Sequence, residues 1–310
     1  MRQPRTTVLG HPKMSTVAHA DGDASALQEQ VWRQLKETGL SDIPSEAFPF
    51  DDPFAGTAAL FGVESAPMLG PATRFTLKYN KALEAYLKAR RLGLETRPVL
   101  PGPLTFLQVL GEGHSGFDAL RLLDALLEPY AELLERLATA GAQEVQLDEG
   151  ALVTRSSPAV LRKMAYAYAW LGTLSHRPRL LVCLCSGEAG PALAVLAESK
   201  VESVALDFVT SPGNLRALAG VGGLPRKRVV VGVVDGRNGV PVDRPRALAT
   251  CAMVLGLVDQ LVVAASCPTM RPPPVGVPQP EALCLARQIA EHVVNLGNAL
   301  GASTDVGPPQ

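Results

Sequence analysis

Short runs rich in Leu and Val alternate along the chain with longer segments whose apolar residues fall three and four positions apart. The first pattern suits strands and the second suits amphipathic helices. The runs predict strands near Thr7–Gly10, Glu46–Phe50, Arg97–Pro101, Glu144–Glu149, Leu180–Cys185, Ser203–Val209, Arg228–Asp235 and Gln260–Cys267. The spaced segments predict helices over Ala24–Gly39, Thr73–Leu92, Phe117–Gly141, Pro158–Leu174, Gly190–Ser199, Asn214–Leu218, Arg244–Leu257 and Glu281–Leu300. Several strands, such as Val229 to Val234 and Leu261 to Ala265, are apolar nearly throughout, as in parallel strands buried on both faces. Eight strand-helix units of this kind predict an α/β fold, a single (β/α)8 TIM barrel over residues 1–310 with loose ends at about 1–5 and 302–310.

Two stretches rich in Pro, Gly and Asp, Pro49 to Gly70 and Cys267 to Gln279, are expected to be long loops after the second and eighth strands. In a barrel, such loops lie on the face that carries chemistry. No Gly-rich dinucleotide loop follows a strand and no phosphate-binding GxxxxGK[ST] segment occurs, so a nucleotide fold has little support.

The 310 residues carry 29 Lys and Arg against 30 Asp and Glu, and 47% are hydrophobic. Disorder is excluded by that apolar share. The near-zero net charge removes the electrostatic basis for a nucleic-acid partner. No run reaches the roughly 18 apolar residues that span a bilayer, and Met1 to His19 has no apolar signal core, so a cytoplasmic protein without membrane partners is expected. The five cysteines, Cys183, Cys185, Cys251, Cys267 and Cys284, are an odd number in a chain able to build its own core. Reduced thiols follow.

Barrel sites form where strands end. The polar residues there are Gly10 and His11, Asp148 and Glu149, Cys183 and Cys185, Asp207, then Asp235, Arg237 and Asn238, and finally Cys267. Residues two apart on a strand share a face, so Cys183 can act with Cys185 and Gln146 with Asp148. Three thiols and a carboxylate are a donor set suited to zinc, which holds thiols deprotonated at neutral pH. Buried cysteines also serve as small hydrophobes, and both readings stand on the residues alone.

The segments Gly102-Pro103-Leu104-Thr105-Phe106-Leu107, Val145-Gln146-Leu147-Asp148-Glu149-Gly150-Ala151-Leu152, Val234-Asp235-Gly236-Arg237-Asn238 and Ala265-Ser266-Cys267 resemble, in order and spacing, the cobalamin-independent methionine synthase family. They are most similar to its N-terminal barrel, and the resemblance runs from about Thr73 to Cys267, more faintly taking in Val8 to Pro12. It implies the barrel fold. In the catalytic C-terminal barrel of that family, zinc is held by His-x-Cys, Glu and a final Cys, and those positions fall on Cys183, Cys185, Asp207 and Cys267. The intervals, 22 positions from Cys185 to Asp207 and 60 from Asp207 to Cys267, resemble the family's. The resemblance also implies substrate contacts at Gly10, His11, Asp148, Glu149 and Asp235, with Asp148 taking the amino group of an amino-acid thiol.

Departures point the other way. The family's N-terminal barrel holds no zinc yet keeps an acidic residue and a Ser-Cys at positions matching Asp207 and Ser266-Cys267. The seventh-strand Asp-x-His of the catalytic barrel, whose histidine serves in acid catalysis, is Asp235-Gly236-Arg237 here, and a guanidinium cannot give up a proton near neutral pH. The basic segment that meets a folate's glutamate tail is reduced to Pro12-Lys13. Two functions are therefore expected: S-methyl transfer to a zinc-activated thiol such as homocysteine from a donor of the folate kind, or a non-catalytic barrel of this family that binds a ligand or partner. A lyase of the related uroporphyrinogen decarboxylase superfamily rests on fold analogy alone. Oligomeric state and a completing partner chain stay open.

Overall fold

The structure, a computed structural model, describes residues 4–10, 21–45, 53–63, 69–78, 80–112, 117–184, 187–236, 241–266 and 279–305. Seven strands, β1 (Arg5–Thr7), β2 (Val99–Pro101), β3 (Glu144–Asp148), β4 (Arg179–Leu184), β5 (Ser203–Asp207), β6 (Leu224–Val234) and β7 (Val258–Ala265), form one sheet. Its order is β1-β7-β6-β5-β4-β3-β2, and every pairing is parallel. Parallel neighbours need crossovers, and helices supply them: α1 (Asp21–Glu37), α2 (Pro53–Leu60), α3 (Lys81–Arg91), α4 (Pro103–Leu110), α5 (Leu123–Thr139), α6 (Pro158–Thr173), α7 (Gly190–Glu198), α8 (Asn214–Gly220), α9 (Arg244–Leu255) and α10 (Gln279–Asp305).

The sheet curls until its two edges approach one segment. Thr7 bridges Asp42 and Pro44 bridges Arg97, both in the parallel sense. Backbone bonds from Arg97 N to the Ile43 carbonyl and from Ser45 N to the Arg97 carbonyl, each 2.8 Å, reinforce the second contact. The strand expected at Glu46–Phe50 lies outside the described residues; the bridges just before it are at Asp42 and Pro44. The loop expected over Pro49–Gly70 contains α2, because Phe54, Ala58, Phe61 and Leu60 form an apolar face buried in the core behind a proline at the first helical position. The helix expected over Thr73–Leu92 starts only at Lys81. Asn80 caps it, its Oδ1 accepting from Leu83 N at 3.0 Å. Gly102-Pro103 opens α4, which the strand-helix alternation missed. At the ends, β1 already begins at Arg5 and α10 extends to Asp305. No described helix is long and apolar enough to cross a membrane.

Two cores result from strand alternation. Outward residues such as Leu180, Val182 and Leu184 pack with the helices, among them α5, which buries Leu123, Leu126, Leu127, Tyr130, Leu133, Leu134 and Leu137 on one stripe. Inward residues Leu9, Leu181, Cys183, Ala205, Val230, Val262 and Ala264 form a second cluster among themselves. The N-terminal end of this inner space is closed by polar pairs: Arg228 with Glu144, Ser203 Oγ donating to Glu144 at 3.1 Å, and Arg97 with Asp42.

One carboxylate fixes the start of α4. Glu149, 0% exposed, accepts from Thr105 N at 2.8 Å, Leu104 N at 3.3 Å and the Tyr168 hydroxyl at 2.7 Å. It thus satisfies two amides that a helix N-terminus leaves unpaired. Gly102 lies directly beneath it, and a Cβ there would overlap the Glu149 carboxyl. Burial pushes the Glu149 carboxyl above its ordinary range, against the pull of its bonds from Thr105 and Tyr168.

Two predictions follow from this cap. Glu149→Ala should lower the unfolding free energy by about 2–4 kcal/mol in denaturant titration, and Gly102→Ala should cost less in that background than in the wild type, a non-additivity that a double-mutant cycle reads directly. The raised carboxyl means that the folded state holds its proton more tightly than the unfolded chain. Its contribution to stability is therefore largest below the ordinary carboxylate range and is lost as pH rises through the raised folded value. In Glu149→Gln that decline should be missing when unfolding free energies are compared between about pH 4 and 7.

Candidate functional site

Paired residues in a parallel ladder point to the same side, so the register assigns the inner face. Asp148 on β3 pairs with Cys183 on β4, Cys183 with Ala205, and Ala205 with Val230 on β6. Asp207 lies two residues beyond Ala205 and shares its face. Asp148, Cys183 and Asp207 thus line the inner face toward the C-terminal ends of three adjacent strands, where barrel chemistry resides.

They differ in what they can offer. Asp148 is half-buried, and its Oδ1 accepts from Gln146 Nε2 at 2.7 Å. Gly10, half-buried, follows Leu9, whose carbonyl takes the other Gln146 amide bond at 2.8 Å. Asp235, also half-buried, leaves β6 at a turn where Gly236 N donates to Ser266 Oγ at 3.2 Å and Ser266 N donates to the Val234 carbonyl at 2.7 Å. Gly10, Asp148 and Asp235 are therefore the expected substrate contacts that retain exposure at the end of the inner face. Glu149 faces the opposite way. Adjacent strand positions alternate, and its carboxylate is committed to α4, so it supports the site from behind instead of lining it.

Cys183 is 1% exposed within the aliphatic inner cluster. Asp207, also 1% exposed, spends both oxygens on its own loop: Oδ1 accepts from Val209 N at 2.8 Å and Thr210 N at 3.0 Å, and Oδ2 from Thr210 Oγ1. Among the described residues no group of three or more His, Cys, Asp or Glu could hold a metal ion. Cys185 and Cys267, the other two expected ligands, lie outside the described residues, as do His11, Arg237 and Asn238.

Two polar residues that shape this region carry no motif. Asn214 on α8, 0% exposed, donates to the Asp207 carbonyl at 2.8 Å and the Gly187 carbonyl at 3.2 Å, and accepts from Ala189 N at 2.8 Å. It clamps the ends of β4 and β5 together. Arg97, 2% exposed, reaches Thr7 on β1 and Gln146 on β3 from the far edge of the sheet. The one signal for Arg97 in the sequence is a cation opening an otherwise apolar strand.

Residues 65–258 match the model of the cobalamin-independent synthase N-terminal domain. A 5-methyltetrahydropteroyltriglutamate–homocysteine methyltransferase of Streptomyces avermitilis is 38% identical over 371 positions, covering 97% of this chain and 48% of that protein. The chain spans about half the length of the curated relatives it matches. Among solved structures, a B12-independent methionine synthase from Shewanella sp. W3-18-1 in complex with selenomethionine superposes with a TM-score of 0.69 at 17% identity, over 96% of this chain and 100% of that one. A methyltransferase from Methanosarcina mazei gives 0.64 at 15% identity, over 96% and 94%. At these identities the superpositions show the fold. With the domain match over more than half of its residues, this chain belongs to the cobalamin-independent methionine synthase family.

Proposed function

We propose that the chain is a closed eight-stranded barrel that serves methyl transfer to the sulfur of an amino-acid thiol such as homocysteine, holding that thiol at its C-terminal mouth. The bridges at Asp42 and Pro44 support closure, with 42–44 as the second strand. The observation that carries the substrate reading is Asp148: a half-exposed carboxylate, held by Gln146 at 2.7 Å, at the end of an inner face whose next layer is the buried cluster of Cys183, Ala205 and Val230. A fixed carboxylate beside an apolar wall suits a ligand with an ammonium group and a short thiol chain. Gly10 gives close backbone approach and Asp235 adds a carboxylate in this reading, while His11, outside the described residues, is assigned to substrate by the resemblance alone. The methyl donor is of the folate class, as the names of the relatives suggest, and the compartment is the cytoplasm. In the net reaction the methyl group leaves the donor nitrogen for sulfur, and the thiol proton ends on that nitrogen.

A zinc ion on Cys183, Cys185, Asp207 and Cys267 would supply a thiolate at neutral pH. The described half of that set does not fit as placed, since both oxygens of Asp207 are engaged by its own loop. The same observation favours the second reading, a barrel that binds its ligand while the transfer is completed elsewhere. The match to the N-terminal domain supports it too.

Calorimetric titration with L-homocysteine tests the first reading: Asp148→Asn should weaken binding by about 10-fold to 100-fold, the range of one charged hydrogen bond, and an unchanged affinity would refute it. Elemental mass spectrometry of the purified protein should find far less than one zinc per chain, unaltered by replacing Cys183 and Cys185 with Ser. One zinc per chain that disappears in the variant would restore the metal reading.

A further inference from the structure

At its N-terminal end the inner face finishes in a polar layer that the site at the opposite end does not use. Residues two positions apart on a strand share a face. Two before Leu181, Ala205, Val230 and Val262 of the inner cluster stand Arg179, Ser203, Arg228 and Gln260. Glu144 pairs with Arg179 in the ladder and Arg5 pairs with Val262, so both face the same way.

The charges of this layer do not balance. Arg5, Arg179 and Arg228 bring three guanidiniums and Glu144 one carboxylate, while Arg97 and Asp42 beside them cancel as a pair. That leaves an excess of two positive charges. Glu144, 9% exposed, is already taken by Arg228 and by Ser203 Oγ. Arg5 and Arg179 are exposed, and among the described residues their side chains make no hydrogen bond or ion pair. The Arg228 side chain, 11% exposed, has Glu144 as its acceptor, and its Nε is buried without one. Burial lowers the Arg228 pKa from its ordinary value; Glu144 opposes that shift, and the charges of Arg5 and Arg179 add to it. A layer built only to close the sheet would pair its charges, as Arg97 does with Asp42. Here like charges crowd one another instead, and an anion between them would offset the repulsion.

We propose that this N-terminal end of the inner space is an anion site that takes a phosphate group, free or as a monoester, on Arg5, Arg179 and Arg228. Guanidinium forks match oxyanion geometry and keep their charge at any physiological pH. The two excess charges match a phosphate, which carries about −1.5 to −2 at pH 7, whereas a monocarboxylate would offset half of them. Arg228 is held in advance by Glu144, which reduces the ordering cost of binding. Arg5 on β1 and Arg179 on β4 flank it from either side. The site lies at the other end of the strands from Asp148 and does not depend on the thiol reading.

The test is calorimetric titration of the full chain with inorganic phosphate, glycerol 3-phosphate and acetate. It is run at about pH 7.5, where phosphate is largely a dianion, in roughly 0.15 M KCl, which screens diffuse attraction. Arg5→Gln and Arg179→Gln remove exposed side chains without native partners, and thermal melts establish that the variants fold. Each should weaken phosphate binding about tenfold, the range of one hydrogen bond to a charged group, and the double variant should abolish it. Arg287→Gln removes the same charge from the outer surface of α10 and should leave binding at the wild-type level. Phosphate should also raise the melting midpoint of the wild type and not that of the double variant.

Glycerol 3-phosphate bound at least as tightly as inorganic phosphate assigns the site to a phosphate carried on a larger molecule. Tighter binding of inorganic phosphate assigns it to the free ion. No binding of either, equal binding of acetate, or an equal loss in Arg287→Gln would overturn the proposal.

Discussion

A guanidinium buried to 2% exposure is the constraint around which the sheet is arranged. Removing such a charge from water costs several kcal/mol unless every donor is met, and a single strand cannot meet them. Arg97 finds its acceptors on β1, on the segment at Asp42 and on β3, elements 49 to 90 residues away in sequence. Those contacts are satisfied together only when the sheet curls enough to bring both edges to one place. The ion pair with Asp42 is thus tied to specificity of architecture, while the bulk of the stabilisation comes from the aliphatic layers around it. Glu144 with Arg228 and Ser203 repeats the device across β3, β5 and β6.

The division of labour between the two faces of each strand explains the site. Outward positions meet helices and are large and apolar. Inward positions change character along the strand direction, from ion pairs at the N-terminal end, through Leu181, Ala205 and Val230, to Asp148 near the opposite end. A carboxylate at that level has an apolar wall on one side and a polar anchor behind it. The anchor reaches back to the same arginine that organises the sheet, so Gln146 links Asp148 to the edges that Arg97 joins.

Much of this was legible in the sequence. The strands from β3 to β7 and the helices α5 to α10 fall where unbroken apolar runs and 3.6-residue spacing place them, because local pattern and burial agree there. The isolated bridges at Asp42 and Pro44 were not legible: Asp42-Ile43-Pro44 is too short and too polar to signal pairing, and one of the bridges is to Arg97. Helix α2 hid in a stretch whose glycines and prolines outweighed the spacing of Phe54, Ala58 and Phe61. At the site, position at strand ends picked out Asp148, Cys183 and Asp207. It grouped Glu149 with Asp148, although strand alternation turns the two apart. Nor could it reveal that Asp207 is occupied by Val209 and Thr210, since hydrogen-bond saturation is a property of loop conformation and not of composition.

The contact of Gly102 with Glu149 joins two motifs 47 positions apart into one inherited unit. Any side chain at 102 requires a smaller or redirected residue at 149, and any change at 149 leaves the amides of α4 seeking another acceptor. Neither position can drift alone without passing through a poorly folding intermediate. In the descent of this fold the two should vary as a pair or not at all, while the exposed residues between them diverge freely.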